Sequence, residues 1–176
     1  MTVGYALAMN DAVAPAMPAV GEPAPDFALP DDTGTTRRLS DARGKWLVLF
    51  FYPKDDTPGC TTEACEFRDA YADLSHHGAE VWGISKLDRE SKARFKAKFS
   101  LTFPLLADED HSVSQAYGTW VEKKQYGKST MGVKRATFLV DPGGRIAHVW
   151  PSVTPEGHAD QVHAELERAQ AATTAS

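Results

Sequence analysis

The chain has two cysteines, and both fall in the stretch FYPKDDTPGCTTEAC, as Cys60 and Cys65. Thr57 is of a type favoured at helix N-caps, and Pro58 suits the first helical position, where its missing N–H costs nothing. Cys60 is therefore expected in a first helical turn, where the positive end of the helix dipole and unpaired N–H groups favour thiolate over thiol. It precedes Ala64 by one turn on the apolar stripe, so its sulfur should face a pocket. Cys65 falls about 140° further round the same helix, with its Cα roughly 8 to 9 Å from that of Cys60. A disulfide needs about 4.4 to 6.8 Å. The spacing suits sequential chemistry, in which Cys60 reacts first and Cys65 reaches it after the first turns unwind. The reagent that fits is an oxidant such as peroxide, which makes a sulfenic acid that a second thiol condenses into a disulfide. Acyl or phosphoryl transfer fits less well, because no neighbouring His or Asp reads as an obvious base.

The elements around these residues alternate. DFAL and TRRL flank the turn-rich PDDTG as a short opening hairpin, and KWLVLFFYP is a continuous apolar run of the kind buried on both faces of a sheet. Pro53 ends that strand. A helix carrying Ala64, Phe67, Tyr71 and Leu74 follows, then Gly78 and the strand AEVWGIS, which together make a βαβ unit. Next come a helix over Asp88 to Phe99, a short strand in FPLLAD and one or two helical turns in HSVSQAY. WVEKKQYGKSTMGVK lacks clear periodicity and reads as a loop. RATFLVD and RIAHVW form a hairpin across PGG, and a last amphipathic helix runs from Gly157 to about Ala171. The order predicts an α/β fold with a mixed central sheet flanked by helices on both faces, and ligands beyond the carboxyl ends of its strands, where residues 53–60 lie. Residues 1–22 are expected to be a flexible N-terminal extension, 23–171 the single domain, and 172–176 a frayed tail.

PKDDTPGC, with Pro53, Thr57 and Cys60 at their observed spacing, resembles the active-site signature of the peroxiredoxins. Together with Cys65, EKKQYGKSTMGVKRATFLVD and the closing GH, it resembles the Q-type subfamily, the bacterioferritin comigratory proteins. The likeness runs from about Pro25 to Leu166. It implies a thioredoxin-like fold and a thiol-dependent peroxidase acting on hydrogen peroxide and organic hydroperoxides. In that role Cys60 is the peroxidatic cysteine and Cys65 the resolving one, the two forming an intramolecular disulfide. Thr57 would hydrogen-bond the thiolate and the peroxide, and Pro53 would shield the sulfur from water. Arg135 would hold the thiolate and polarise the O–O bond, a task suited to a permanently charged group with several donors. Thioredoxin or a similar dithiol is the implied reductant, a monomer the implied state, and no cofactor is implied. GISKLDRES differs from the usual family wording but touches none of these positions.

A formal net charge of −5 argues against nucleic acid or anionic lipid as partners. No apolar run has the roughly 18 residues of a membrane span. The first twenty residues lack the basic segment of a secretory signal, so a cytoplasmic protein is expected, where paired cysteines are more often transient and catalytic than structural. Among six histidines, neither the His76/His77 nor the His158/His163 pair has ligand spacing on one helix face, so no metal is expected and surface or cap roles are assigned. The basic residues of 86–98 read as a solvated face. Two rival functions use the same thiols: a thioredoxin-type exchange enzyme, disfavoured by the four residues between the cysteines, and a peroxide sensor that relays oxidation to a partner.

Overall fold

The computed structural model describes residues 16–175. Its centre is a five-stranded sheet in the order β5-β4-β3-β8-β9. In it β3 (Trp46–Phe51) lies parallel to β4 (Ala79–Ser85), which lies parallel to β5 (Leu105–Ala107). On the other side β3 pairs antiparallel with β8 (Ala136–Val140), and β8 with β9 (Ile146–Trp150). All of β3 is buried. Its alternate side chains serve two cores, because successive residues of a strand point to opposite faces: Val48 and Phe50 belong to one, Leu47, Leu49 and Phe51 to the other.

The first core is closed by α1 (Pro58–His76), α2 (Arg89–Phe99) and α4 (His158–Ala175), through Phe67 and Leu74, Phe95, and Val162 and Leu166. The second is closed by the antiparallel hairpin of β1 (Ala28–Pro30) and β2 (Thr36–Arg38), the 3-10 turn Leu39–Ala42 and the short α3 (Ser112–Ala116). The expected α/β architecture, with helices on both faces of a mixed sheet, is the one observed.

Three local expectations need correction. The segment after Gly118 is not a loop but a two-stranded antiparallel ribbon, β6 (Trp120–Gln125) and β7 (Lys128–Val133). Its two-residue turn has Tyr126 at φ 53° and Gly127 at φ 76°, the left-handed pair that matches hairpin twist. Most of β7 is exposed, so backbone pairing rather than a buried face holds the ribbon, and no apolar alternation announces it. Helix α4 continues to Ala175, through residues expected to fray. Residues 17–22 also touch the body of the fold. Gly21 donates its N–H to the Ile146 carbonyl at 2.8 Å, Ile146 donates to the Glu22 carbonyl at 2.9 Å, and Met17 packs on the second core. The rest of the expected extension lies outside the described residues. Finally, Lys92, assigned to a solvated face, is completely buried.

Candidate active site

Where β3 ends, the chain must turn out of the sheet and start a helix. Tyr52 is still buried, Pro53 is half-buried, and Asp55 turns back inward. The Tyr52 hydroxyl donates to Asp55 Oδ1 at 2.5 Å, and the Ser91 hydroxyl to Oδ2 at 2.7 Å. Lys92 Nζ lies 3.2 Å from the same Oδ2 and donates to the Ser85 hydroxyl at 2.6 Å. Burial lowers the Lys92 pKa, and the Asp55 carboxylate opposes that shift. Burial, reinforced by Asp55, holds the Tyr52 phenol well above its usual range. A buried charge is tolerated when it is paired and hydrogen-bonded in this way. The network spans β3, β4 and α2, so the loop from Pro53 to Thr57 is pinned from below.

Thr57 is the N-cap of α1, with extended backbone, and Pro58 is the first helical residue, as expected. The Thr57 side chain does not cap, however. Its hydroxyl donates to the Lys54 carbonyl at 2.9 Å, which leaves the oxygen lone pairs available as acceptors. Cys60 lies in the first turn, 1% exposed, on the same stripe as the buried Ala64. Cys65 is half-buried, and both thiols are free.

Arg135 reaches this turn from a distant part of the sequence. The antiparallel register pairs Phe51 with Ala136, so the residue just before β8 sits beside the end of β3. Arg135 Nη2 donates to Cys60 Sγ at 3.4 Å, and Nη1 donates to Glu63 Oε1 at 2.8 Å. Burial alone would weaken the guanidinium's hold on its proton, but Cys60 and Glu63 reverse that, and its pKa is raised. For Glu63, burial dominates over the pull of Arg135, and its pKa is pushed up to about 7. Gly59 lies under the guanidinium, where a Cβ would stand 2.9 Å from Nη2. Arg135 is thus brought from just before β8 to the sulfur of Cys60, in the helical turn that Thr57 and Pro58 begin. A guanidinium in that position offers fixed donors to a developing negative charge.

Glu63 was missed from sequence. Its place three residues after Cys60, hence on the same helix face, is the signal that carries it. His158 was also misread as a surface or cap residue; it is 1% exposed. Its Nδ1 donates to Gln161 Oε1 at 3.1 Å, and its Nε2 accepts from the Thr137 hydroxyl at 2.8 Å. Burial lowers its pKa and favours neutral imidazole. It joins the start of α4 to β8 two residues beyond Arg135.

The chain is similar to several known proteins. The AhpC/TSA family matches residues 20–149. A putative peroxiredoxin bcp of Coxiella burnetii is 48% identical over 147 residues, which cover 84% of this chain and 97% of that one. Peroxiredoxin Bcp of Bacillus subtilis is 45% identical over 139 residues, 79% of this chain and 88% of its own. A solved structure of the Xanthomonas campestris bacterioferritin comigratory protein, described in connection with alkyl peroxide reduction, superposes with a TM-score of 0.80 at 37% identity. It covers 85% of this chain and 98% of that one.

Proposed function

Because the chain belongs to the AhpC/TSA family, among its Q-type bacterioferritin comigratory peroxiredoxins, and is a thiol peroxidase, we propose that Cys60 is the residue peroxide oxidises and Cys65 the one that resolves it. The observation that carries this reading is the donation from Arg135 to the buried Cys60 sulfur at the first turn of α1. The Cys60 thiolate attacks the terminal oxygen of a hydroperoxide. The O–O bond breaks, the sulfur is oxidised to a sulfenic acid that keeps the peroxide's terminal OH, and the departing alkoxide or hydroxide takes a proton from solvent to leave as alcohol or water. Arg135 stabilises charge on the departing oxygen, the free lone pairs of Thr57 orient the peroxide, and Pro53 limits water at the sulfur. Cys65 thiol then displaces water from the sulfenic acid and forms the disulfide.

Both cysteines lie on α1, so its first turns open before that bond forms. A dithiol of thioredoxin type then reduces the disulfide by thiol exchange. Hydrogen peroxide and small alkyl hydroperoxides are the substrates, the second by analogy with the Xanthomonas relative. We place the protein in the cytoplasm as a monomer, with neither membrane nor nucleic acid as a partner; among the described residues no helix is long and apolar enough to cross a membrane.

Intact mass after a single equivalent of peroxide tests the scheme. The parent should lose two hydrogens within one chain, Cys65→Ser should gain oxygen at Cys60, and Cys60→Ser should be unchanged. Peroxide-dependent turnover with thioredoxin should vanish in Cys60→Ser. Reduction of protein disulfides without peroxide would instead support the exchange-enzyme reading.

A further inference from the structure

At the other end of α1, away from the thiols, three potential ligands converge. His77 is the C-cap of α1, while His163 and Glu167 are four residues apart on α4 and so share a face. One ligand atom from each lies within 4.8 Å of the others. His77 Nε2 is 3.5 Å from Glu167 Oε2, close to the roughly 3.3 to 3.5 Å between ligands of a tetrahedral ion with bonds of about 2.0 to 2.1 Å.

The tautomer of His77 is already suited to coordination. Its Nδ1 lies 2.8 Å from the Asp73 carbonyl, which can only accept, so Nδ1 donates there and Nε2 is the nitrogen left to face an ion. Backbone carbonyls orient metal-bound histidines in this way. His163 Nε2 is buried and has no hydrogen-bond partner, an expensive state for a polar atom. The two rings meet edge to face, 5.3 Å between centroids. Beside them a groove of about 290 Å³ between α1 and α4 is lined by Glu66, Asp69, Asp73, Asp160 and His163, and such a one-signed cleft concentrates cations.

We propose that His77, His163 and Glu167 form a binding site for a divalent ion of the zinc class. Two imidazole nitrogens and one carboxylate suit zinc and its late first-row neighbours better than calcium or magnesium, which prefer oxygen. The ion ties the C-terminal end of α1 to α4, adding to the donation from Gln170 Nε2 to the His77 carbonyl at 2.5 Å. Its effect is to hold one end of α1 rigid whatever happens at the other. The site stands independently of the roles given to the cysteines.

The test uses the full chain with Cys60 and Cys65 both replaced by serine, so that thiols cannot bind the probe. Calorimetric titration with Zn²⁺ should show one-to-one binding, and Zn²⁺ should raise the unfolding temperature. His163→Gln and, separately, the more exposed Glu167→Gln should each weaken binding by at least about tenfold and abolish the thermal shift. Binding and shift that survive both substitutions, or no saturable binding up to millimolar Zn²⁺, would overturn the proposal.

Discussion

Glu63 sits wholly buried against Arg135, and its burial and its partner pull its proton in opposite directions. Burial prevails, so the carboxyl titrates near 7 where an ordinary glutamate titrates near 4.5. The sign of the consequence follows from linkage. Between those values the unfolded chain has released this proton while the folded chain still holds it, so the folded state binds more protons and loses stability as pH rises. The contribution is absent below the ordinary value and constant above about 7. Denaturant unfolding from pH 4 to 8 should show this decline in the parent and lack it in Glu63→Gln. Peroxide consumption by the same variant should lose any inflection near pH 7 that the parent shows, since the charge beside Arg135 no longer changes there. A parent and variant with parallel stability profiles would remove Glu63 from this role.

Along α1 the side chains of the first turns and of the later turns make different contacts. The first turns carry Cys60 and Ala64 in the core and Glu63 on Arg135, whereas Phe67 stacks on Phe50 with centroids 4.8 Å apart and meets His158 edge to face. Arg68 adds a donation to the Phe99 carbonyl at 2.7 Å. Opening should therefore stop before Phe67. Hydrogen exchange on the peroxide-oxidised protein should show lost protection over residues 58–65 and retained protection from Phe67 to His76, relative to the reduced protein. Uniform loss along α1, or no loss at all, would contradict this division.

A buried polar bridge joins α2, β4 and the site loop. Lys92, fully buried, joins α2 to β4 at Ser85 and to the site loop at Asp55. Replacing it with methionine keeps most of the volume but leaves the buried Asp55 carboxyl without its cation. Breaking a buried pair from one side costs about 3 to 5 kcal/mol, so denaturant titration of Lys92→Met should show a loss of that size. A change below about 1 kcal/mol would show that solvent or relaxation compensates. Because the same bridge pins residues 53–57, the peroxide reaction should slow in this variant even under conditions where it is fully folded.

The amino-acid sequence alone determined the strands and helices that carry strong periodicity, the cap and proline that start α1, and the place of Cys60 in its first turn. These follow from local chemistry: burial period, backbone restriction and helix-end hydrogen bonding act over a few residues. The β6–β7 ribbon escaped that reading because its stability lies in backbone pairing between polar strands and not in a buried stripe. The resemblance named Arg135 and the register of β8 on β3 carries it to Cys60, while only the tertiary structure buried Lys92, Glu63 and His158 or set His77 against His163. Which distant side chains meet depends on strand register and helix docking, and those are decided by the packing of the whole core.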